Sequence, residues 1–249
     1  MDARKDVDQA ASLKCRECAL RGVCLPASLL DPDLRQLEDI IRHNRRVARH
    51  KHLTRASDPA NQVYALRSGT LKTYLTGSDG RELVTGFVFP GELVGLDAFA
   101  GGQSASHVMA LEPSLVCAIP VGELEDLLTA NAKLRTRLFK FISHELQVEQ
   151  DHLRHSREGA GQRFMAFFLD LSARHARRGL SPTRFSLPMT RAEIGSYLGL
   201  TTETVSRLFT RSRQAGLIET RGREVQLLDV SSLAVAHAAP ASRISCMAG

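Results

Sequence analysis

The chain has 249 residues, enough for two domains or one large one with an ample core. Hydrophobic residues at 43% and charged residues at 24% are ordinary globular values and exclude a disordered or fibrous class. The formal net charge of +6 is unevenly placed: residues 1–158 hold 21 Lys/Arg and 21 Asp/Glu, whereas residues 159–232 hold 11 Lys/Arg against 6 Asp/Glu, which turns the C-terminal part toward a polyanionic partner.

In chain order, the N-terminal MDARKDVDQAAS lacks the apolar centre of a signal peptide. Nowhere do about eighteen apolar residues run together, so no membrane span is expected and a cytoplasmic protein is. Three of the five cysteines follow as C-x2-C-x5-C: Cys15, Cys18 and Cys24. In a cytosolic chain this crowding points to metal ligation or redox chemistry rather than disulfides. Lys14, Arg16 and Arg21 lie between and beside them, and positive neighbours are expected to favour the thiolate that binds metal. Three thiolates do not close a tetrahedral site. Cys117, in the apolar run SLVCAIP, is a better fourth donor than Cys246 in the polar tail. Four thiolates serve zinc as readily as an iron–sulfur cluster, so spacing alone leaves the metal open.

Residues 28–121 read as β-rich. Gly69 marks a turn within Leu66–Tyr74, Ser78-Asp79-Gly80-Arg81 marks a hairpin, and Leu83–Phe89 reads as a strand closed by Pro90-Gly91. Val108–Ile119 is a further apolar stretch, broken at Pro113. Short strands at regular spacing suggest a barrel or jelly-roll-like domain. The basic stretch RHNRRVARHKH at 42–52 has no interleaved aromatics and reads as a solvated loop and strand.

From Leu124 to about Arg157 helix formers run almost without a breaker. Leu138, Ile142, Leu146, Glu149 and Leu153 fall on one stripe, which reads as a dimer seam interrupted by a carboxylate. His152 and His155 stand at i, i+3 and read as solvated side chains rather than ligands. Gly159-Ala160-Gly161 marks a hinge before the apolar helix Phe164–Leu171.

Thr190 and Glu193 have capping-box spacing, so a helix starts near Arg191 and stops at Gly199, where glycine takes the left-handed conformation cheaply. Thr201 caps a second helix that turns Val205, Leu208 and Phe209 inward. Its other face carries Thr202, Glu203, Ser206, Arg207, Thr210 and Arg211. Arginine can bond a guanine edge in a bidentate fashion and a carboxylate can accept from cytosine, so this face suits the major groove. An ordinary amphipathic helix pair is the plain alternative. The hairpin from Leu217 to Leu227 carries Arg221 and Arg223, placed to meet phosphates as a wing.

The cysteine set, GFVFPGELVGLDAF at 86–99 and MTRAEIGSYLGLTTETVSRLF at 189–209 together resemble an FNR-type member of the CRP/FNR family of bacterial transcription regulators, over about residues 12–230. The resemblance implies an α+β protein: a cysteine segment at 1–27, a cyclic-nucleotide-binding-like β-roll at 28–121, a connecting and dimerisation helix at 122–158, a winged helix-turn-helix at 159–230 and a tail at 231–249. It further implies that Cys15, Cys18, Cys24 and Cys117 hold an oxygen-labile [4Fe-4S] cluster. The cluster-bound form would be a homodimer that binds promoter DNA resembling TTGAT-N4-ATCAA and works with RNA polymerase. Glu203, Ser206 and Arg207 stand at the family's base-reading positions, and Glu149 lies near its acidic residue on the dimer helix. Ala19 and Val23 flank the thiols and would limit oxygen access.

The sequence departs from the family in two places. Arg154 and His155 replace apolar residues beside a hinge about one residue shorter, and Arg81 stands where an acidic residue commonly faces the polymerase. Cyclic-nucleotide sensing is not expected, because Ala105-Ser106 offers no guanidinium for a cyclic phosphate. A zinc- or thiol-dependent regulator on the same scaffold is the alternative, and no enzymatic constellation is present.

Overall fold

The computed structural model describes residues 14–41, 43–231 and 233. Arg42 of the basic stretch, Cys246 and nearly all of the tail lie outside the described residues. Two single-turn 3-10 helices, Cys15–Glu17 and Leu25–Ser28, precede a helix, α1 (Asp31–Ile40). The β-rich reading from residue 28 therefore needs correction. Pro32 sits in the first turn with Asp31 and Asp33 at the positive end of the helix, and Leu34 and Leu37 bury one stripe.

Eight strands follow: β1 (His43–Val47), β2 (His52–Thr54), β3 (Gln62–Ser68), β4 (Leu71–Thr76), β5 (Glu82–Val88), β6 (Leu93–Val94), β7 (His107–Ala110) and β8 (Ser114–Pro120). They form two four-stranded sheets, ordered β1-β8-β3-β6 and β2-β7-β4-β5. Gly69, at φ +87°, makes the turn between β3 and β4, where an added side chain would collide with Ser114.

Strand alternation sorts the first sheet into two faces. Tyr64 and Leu66 of β3 and Val116 and Ala118 of β8 join Val47, Leu53, Leu71 and Val108 in the roll interior. Val63 and Ala65 of β3 and Ile119 of β8 instead enter a second core with Leu25, Leu29, Leu34 and Leu37. The sheet thus separates the roll interior from a helical layer.

That layer includes α2 (Val121–Ala130) and α3 (Ala132–His155). One unbroken helix was expected from Leu124; Asn131 divides it. Its φ of −120° and ψ of 99° leave the helical region, and its side-chain oxygen accepts from the Leu134 N–H at 2.9 Å, capping α3.

The chain divides into two compact units, the boundary falling between His144 and Glu145 of α3, with Glu82–Val84 grouped with the second unit. The C-terminal unit contains α4 (Ala160–Arg177), β9 (Arg184–Ser186), α5 (Arg191–Leu198), α6 (Thr202–Gln214), β10 (Ile218–Arg221) and β11 (Glu224–Leu227). Phe164, Phe168 and Phe209 pack edge to face at its centre, Phe164 and Phe209 with ring centres 4.8 Å apart. The hairpin gains a third strand that sequence reading missed. β9 pairs with β11 and sets Phe185, stacked on His175, opposite Val225. Among the described residues no helix is long and apolar enough to cross a membrane.

Candidate metal centre and nucleic-acid interface

Cys15 opens the first 3-10 turn, Cys18 ends it, and Cys24 caps the second. Between them the backbone folds back on itself: Arg21 N–H donates to the Cys18 carbonyl, and Val23 and Cys24 N–H both donate to the Leu20 carbonyl. Cys117 is more than ninety residues away in sequence but lies on β8, flanked by Asn44 on β1 and Ala65 on β3. Odd-numbered β8 residues face the helical layer, so Cys117 packs against the same core as Cys15 and Cys24. Its thiol donates to Asn44 Oδ1 at 3.3 Å.

The four thiols lie within electrostatic reach of one another. Burial first, then Cys117, Glu38 and Cys18, pushes the Cys15 thiol up to about 12. Burial also pushes Cys24 up to about 12, with Cys117, Cys15 and Cys18 adding to it. Burial raises Cys117 as well, opposed by Arg67. Lys14, Arg16 and Arg21 are not among the main groups that act on the Cys15, Cys24 and Cys117 thiols, and Arg16 and Arg21 face carboxylates instead. Arg16 donates from Nη2 to Glu38 at 2.7 Å and from Nε at 3.2 Å, holding that carboxyl below the usual range, and Arg21 lies 3.9 Å from Asp31. Arg67, at the irregularity where β3 shifts register against β8, favours the charged form of Cys15 and Cys117.

Thiols this buried ionise when a bound cation supplies the compensating charge. Among the described residues, no three His, Cys, Asp or Glu side chains are gathered to hold a single metal ion. As a donor set, four thiols in electrostatic reach of one another suit zinc and an iron–sulfur cluster alike. Val23 packs so closely on the Pro90-Gly91 turn that a Cβ on Gly91 would lie 2.8 Å from its Cγ2, whereas Ala19 is exposed.

The α5–α6 pair has the expected caps. Glu193 N–H donates to Thr190 Oγ1 at 3.2 Å and the Glu193 carboxylate accepts from the Thr190 N–H at 2.8 Å. Gly199 ends α5 at φ +63°, and Thr201 Oγ1 accepts from the Thr204 N–H at 3.1 Å. Gly195, unremarked in the sequence, is where the turn closes: its carbonyl accepts from the Leu200 N–H at 2.8 Å, and a Cβ there would lie 2.7 Å from the Leu200 carbonyl oxygen. Arg163 on α4 donates to the Leu198 and Gly199 carbonyls at the end of α5.

Val205 and Phe209 are buried, and Leu208 partly so. Thr202, Glu203, Ser206, Arg207, Thr210 and Arg211 are all exposed, as are Arg221 and Arg223 on the hairpin. Arg207 lies 3.7 Å from Glu203, an exposed pair that holds either side chain only weakly. Ser206 Oγ donates to the Thr202 carbonyl and Thr210 Oγ1 to the Ser206 carbonyl, while Thr210 Oγ1 accepts from Arg213 Nη2 at 3.4 Å. Arg191 lies over the Phe209 ring; burial and Arg213 lower its pKa to about 10, so it stays cationic at neutral pH.

Along α3, Leu138 is 4% exposed and belongs to the core, so it does not stand on the outer stripe. Phe139 at 59%, Leu146 at 59% and Leu153 at 66% form that stripe, with Ile142 half-buried and Glu149 exposed among them. The His152 ring lies tilted against Tyr197 with ring centres 4.6 Å apart, and His155 pairs with Glu158 at 2.8 Å. Arg81 is exposed and lies 3.5 Å from Asp79.

Residues 162–236 match the model of the Crp-like helix-turn-helix domain, and residues 44–131 that of the cyclic nucleotide-binding domain. The chain is 42% identical to the transcriptional activator protein FnrA of Stutzerimonas stutzeri, covering 86% of this chain and 88% of the relative. It is 39% identical to the fumarate and nitrate reduction regulatory protein of Escherichia coli, covering 90% of each. The chain belongs to the FNR-type transcription regulators of the CRP/FNR family. This is a family of regulators rather than enzymes, and α5–α6 is its DNA-binding helix-turn-helix. The anaerobic regulatory protein of Pasteurella multocida is a further relative, 39% identical over 92% of this chain and 85% of its own length. Among solved structures, FixK2 from Bradyrhizobium japonicum is similar with a TM-score of 0.72 at 28% identity, covering 80% of this chain and 98% of that one.

Proposed function

We propose that this regulator senses dioxygen in the cytoplasm. Cys15, Cys18, Cys24 and Cys117 hold a [4Fe-4S] cluster, the holo chain pairs through the exposed stripe of α3, and α6 reads an inverted repeat resembling TTGAT-N4-ATCAA. The observation that carries this reading is that Cys117, from the middle of a sheet, packs on the same apolar core as Cys15 and Cys24 of the N-terminal segment, with Cys18 within electrostatic reach of all three. When bound, the cluster supplies the sensitivity to dioxygen. The relatives named as anaerobic, fumarate and nitrate reduction regulators support the same direction.

The protein's own residues do the rest. Burial and Val23 keep water from the thiols, Arg67 favours their charged form, and Glu149 opposes pairing of two α3 helices until the rest of the seam is in place. Glu203, Ser206 and Arg207 meet base edges, Thr202, Thr210 and Arg211 line the same groove, and Arg221 and Arg223 meet phosphates. RNA polymerase is the further partner, contacted on a surface that includes Arg81. The β-roll is read as unresponsive to cyclic nucleotides: Ala105 and Ser106 supply no cation, and the Ala105 N–H already donates to the Asp97 carboxylate at 2.8 Å.

Gel-shift titration of a duplex carrying the repeat tests the proposal. Protein prepared without oxygen should bind at least about tenfold more tightly than the same sample after air, a difference of about 1.4 kcal/mol. Equal binding before and after air would sink it in favour of a zinc- or thiol-controlled regulator.

A further inference from the structure

Arg137 stands on α3 two residues before Phe139, yet its guanidinium points to the cysteine segment. Nη2 donates to the Val23 carbonyl at 2.7 Å and to the Cys24 carbonyl at 3.3 Å, and Nε donates to the Cys24 carbonyl at 3.3 Å. The ring of Phe141, one turn further along α3, lies under the guanidinium at 4.9 Å. The side chain is thus held between its own helix and the backbone of a cysteine proposed as a ligand. Around it, Leu134 and Leu138 of α3 share one core with Leu25, which directly follows Cys24, and Leu29.

This arrangement is sensitive to where Cys24 lies. Three charge-assisted hydrogen bonds converge on two adjacent carbonyls in a part-buried setting, so a shift of the Val23–Cys24 backbone strips the guanidinium of its partners where water replaces them poorly. The response falls on α3, because Arg137 and Phe141 are fixed to its backbone.

Resting on the oxygen-sensor reading above, we propose that Arg137 is the positioning residue that transmits the state of the cysteine segment to the pairing helix. With the segment in its ligating conformation, the two carbonyls hold Arg137 and with it the first turns of α3. When the segment relaxes, that hold is released and the seam beginning at Phe139 and Ile142 loses its alignment.

The test is the dimer dissociation constant of the full chain by sedimentation velocity, with and without cluster, for the parent, Arg137→Met and Arg137→Lys. Iron and acid-labile sulfide are measured on every sample. Methionine keeps much of the apolar stem over Phe141 but donates nothing; lysine keeps a charge with single-point geometry. In the parent, loading should tighten the dimer. In Arg137→Met the loaded and iron-free constants should converge, with the loaded dimer weakened about tenfold, and Arg137→Lys should fall between. A loaded Arg137→Met that dimerises like the parent overturns the proposal while leaving the sensor reading intact. A folded Arg137→Met that cannot be loaded overturns it too, since Arg137 would then build the cysteine site rather than transmit its state. A parent that takes up no iron contradicts the sensor reading itself, a result distinguishable from either of these.

Discussion

Arg207 and Arg221 carry the same charge, and the proposed reading gives them different parts in recognition. Arg207 projects from the exposed face of α6, where a bidentate guanidinium–guanine contact discriminates by about 1–3 kcal/mol. Arg207→Ala is expected to weaken binding to the repeat by that amount and to relax the preference at one base position, as seen by competition with single-base variants. Arg221→Ala should weaken all sequences alike and reduce the slope of log affinity against log salt by about one. If the two variants behaved identically, the division between base-reading helix and phosphate-binding wing would be wrong.

Gly195 offers a second test at this scale. In a plain helix, glycine to alanine stabilises by roughly 0.5–1 kcal/mol. Here the new Cβ would meet the Leu200 carbonyl oxygen at 2.7 Å, inside any ordinary contact distance, and backbone cannot swing away as a flexible side chain can. Overpacking wins, and Gly195→Ala should lower stability by about 1–3 kcal/mol in thermal melts. A raised melting temperature would contradict the geometry. The sequence pointed to Gly199 because its place after a helix is a known signal, whereas Gly195 matters through a contact across the turn that no local pattern reveals.

Elements were legible where periodicity and punctuation agreed. The capping box at Thr190 and Glu193, the stop at Gly199 and the hairpin at Leu217–Leu227 all follow from local rules, and the structure has each of them. Where long-range packing decides, the sequence was less informative. α1 was hidden in a stretch read as strand, and β9 is too short to show period-2 alternation and exists because Phe185 is buried opposite Val225. Asn131 was missed for a different reason: a capping residue inside a run of helix formers looks like one more helical position until its φ and ψ are known. Leu138 shows the limit of a stripe argument, since a helix with apolar residues on adjoining faces does not declare which face meets the domain core.

The seam proposal at this scale is testable at Glu149, which is exposed on the stripe with Leu146 and Leu153. Glu149→Ala is expected to raise the dimer fraction in air and, with it, DNA binding in air, both read by sedimentation and gel shift on the same samples. A variant that stayed monomeric in air would remove like-charge repulsion from the account.

For the whole molecule, the charge asymmetry and the three motif groups were enough to place the chain in its family, because each reflects a constraint on several residues at once. The neighbourhood of the cysteines was harder to read. Which basic residue faces the thiols depends on how β3 lies beside β8, so Arg67 emerged only with the fold, while Arg16 and Arg21 turned to Glu38 and Asp31. The central claim, a cluster held by Cys15, Cys18, Cys24 and Cys117, is most directly tested by iron and acid-labile sulfide per chain in protein prepared without oxygen, with absorption spectra before and after air. The account predicts about four of each per chain and a broad visible band that bleaches in air, with both lost in Cys24→Ser. Zinc in place of iron, or neither metal alongside undiminished DNA binding in air, would contradict it.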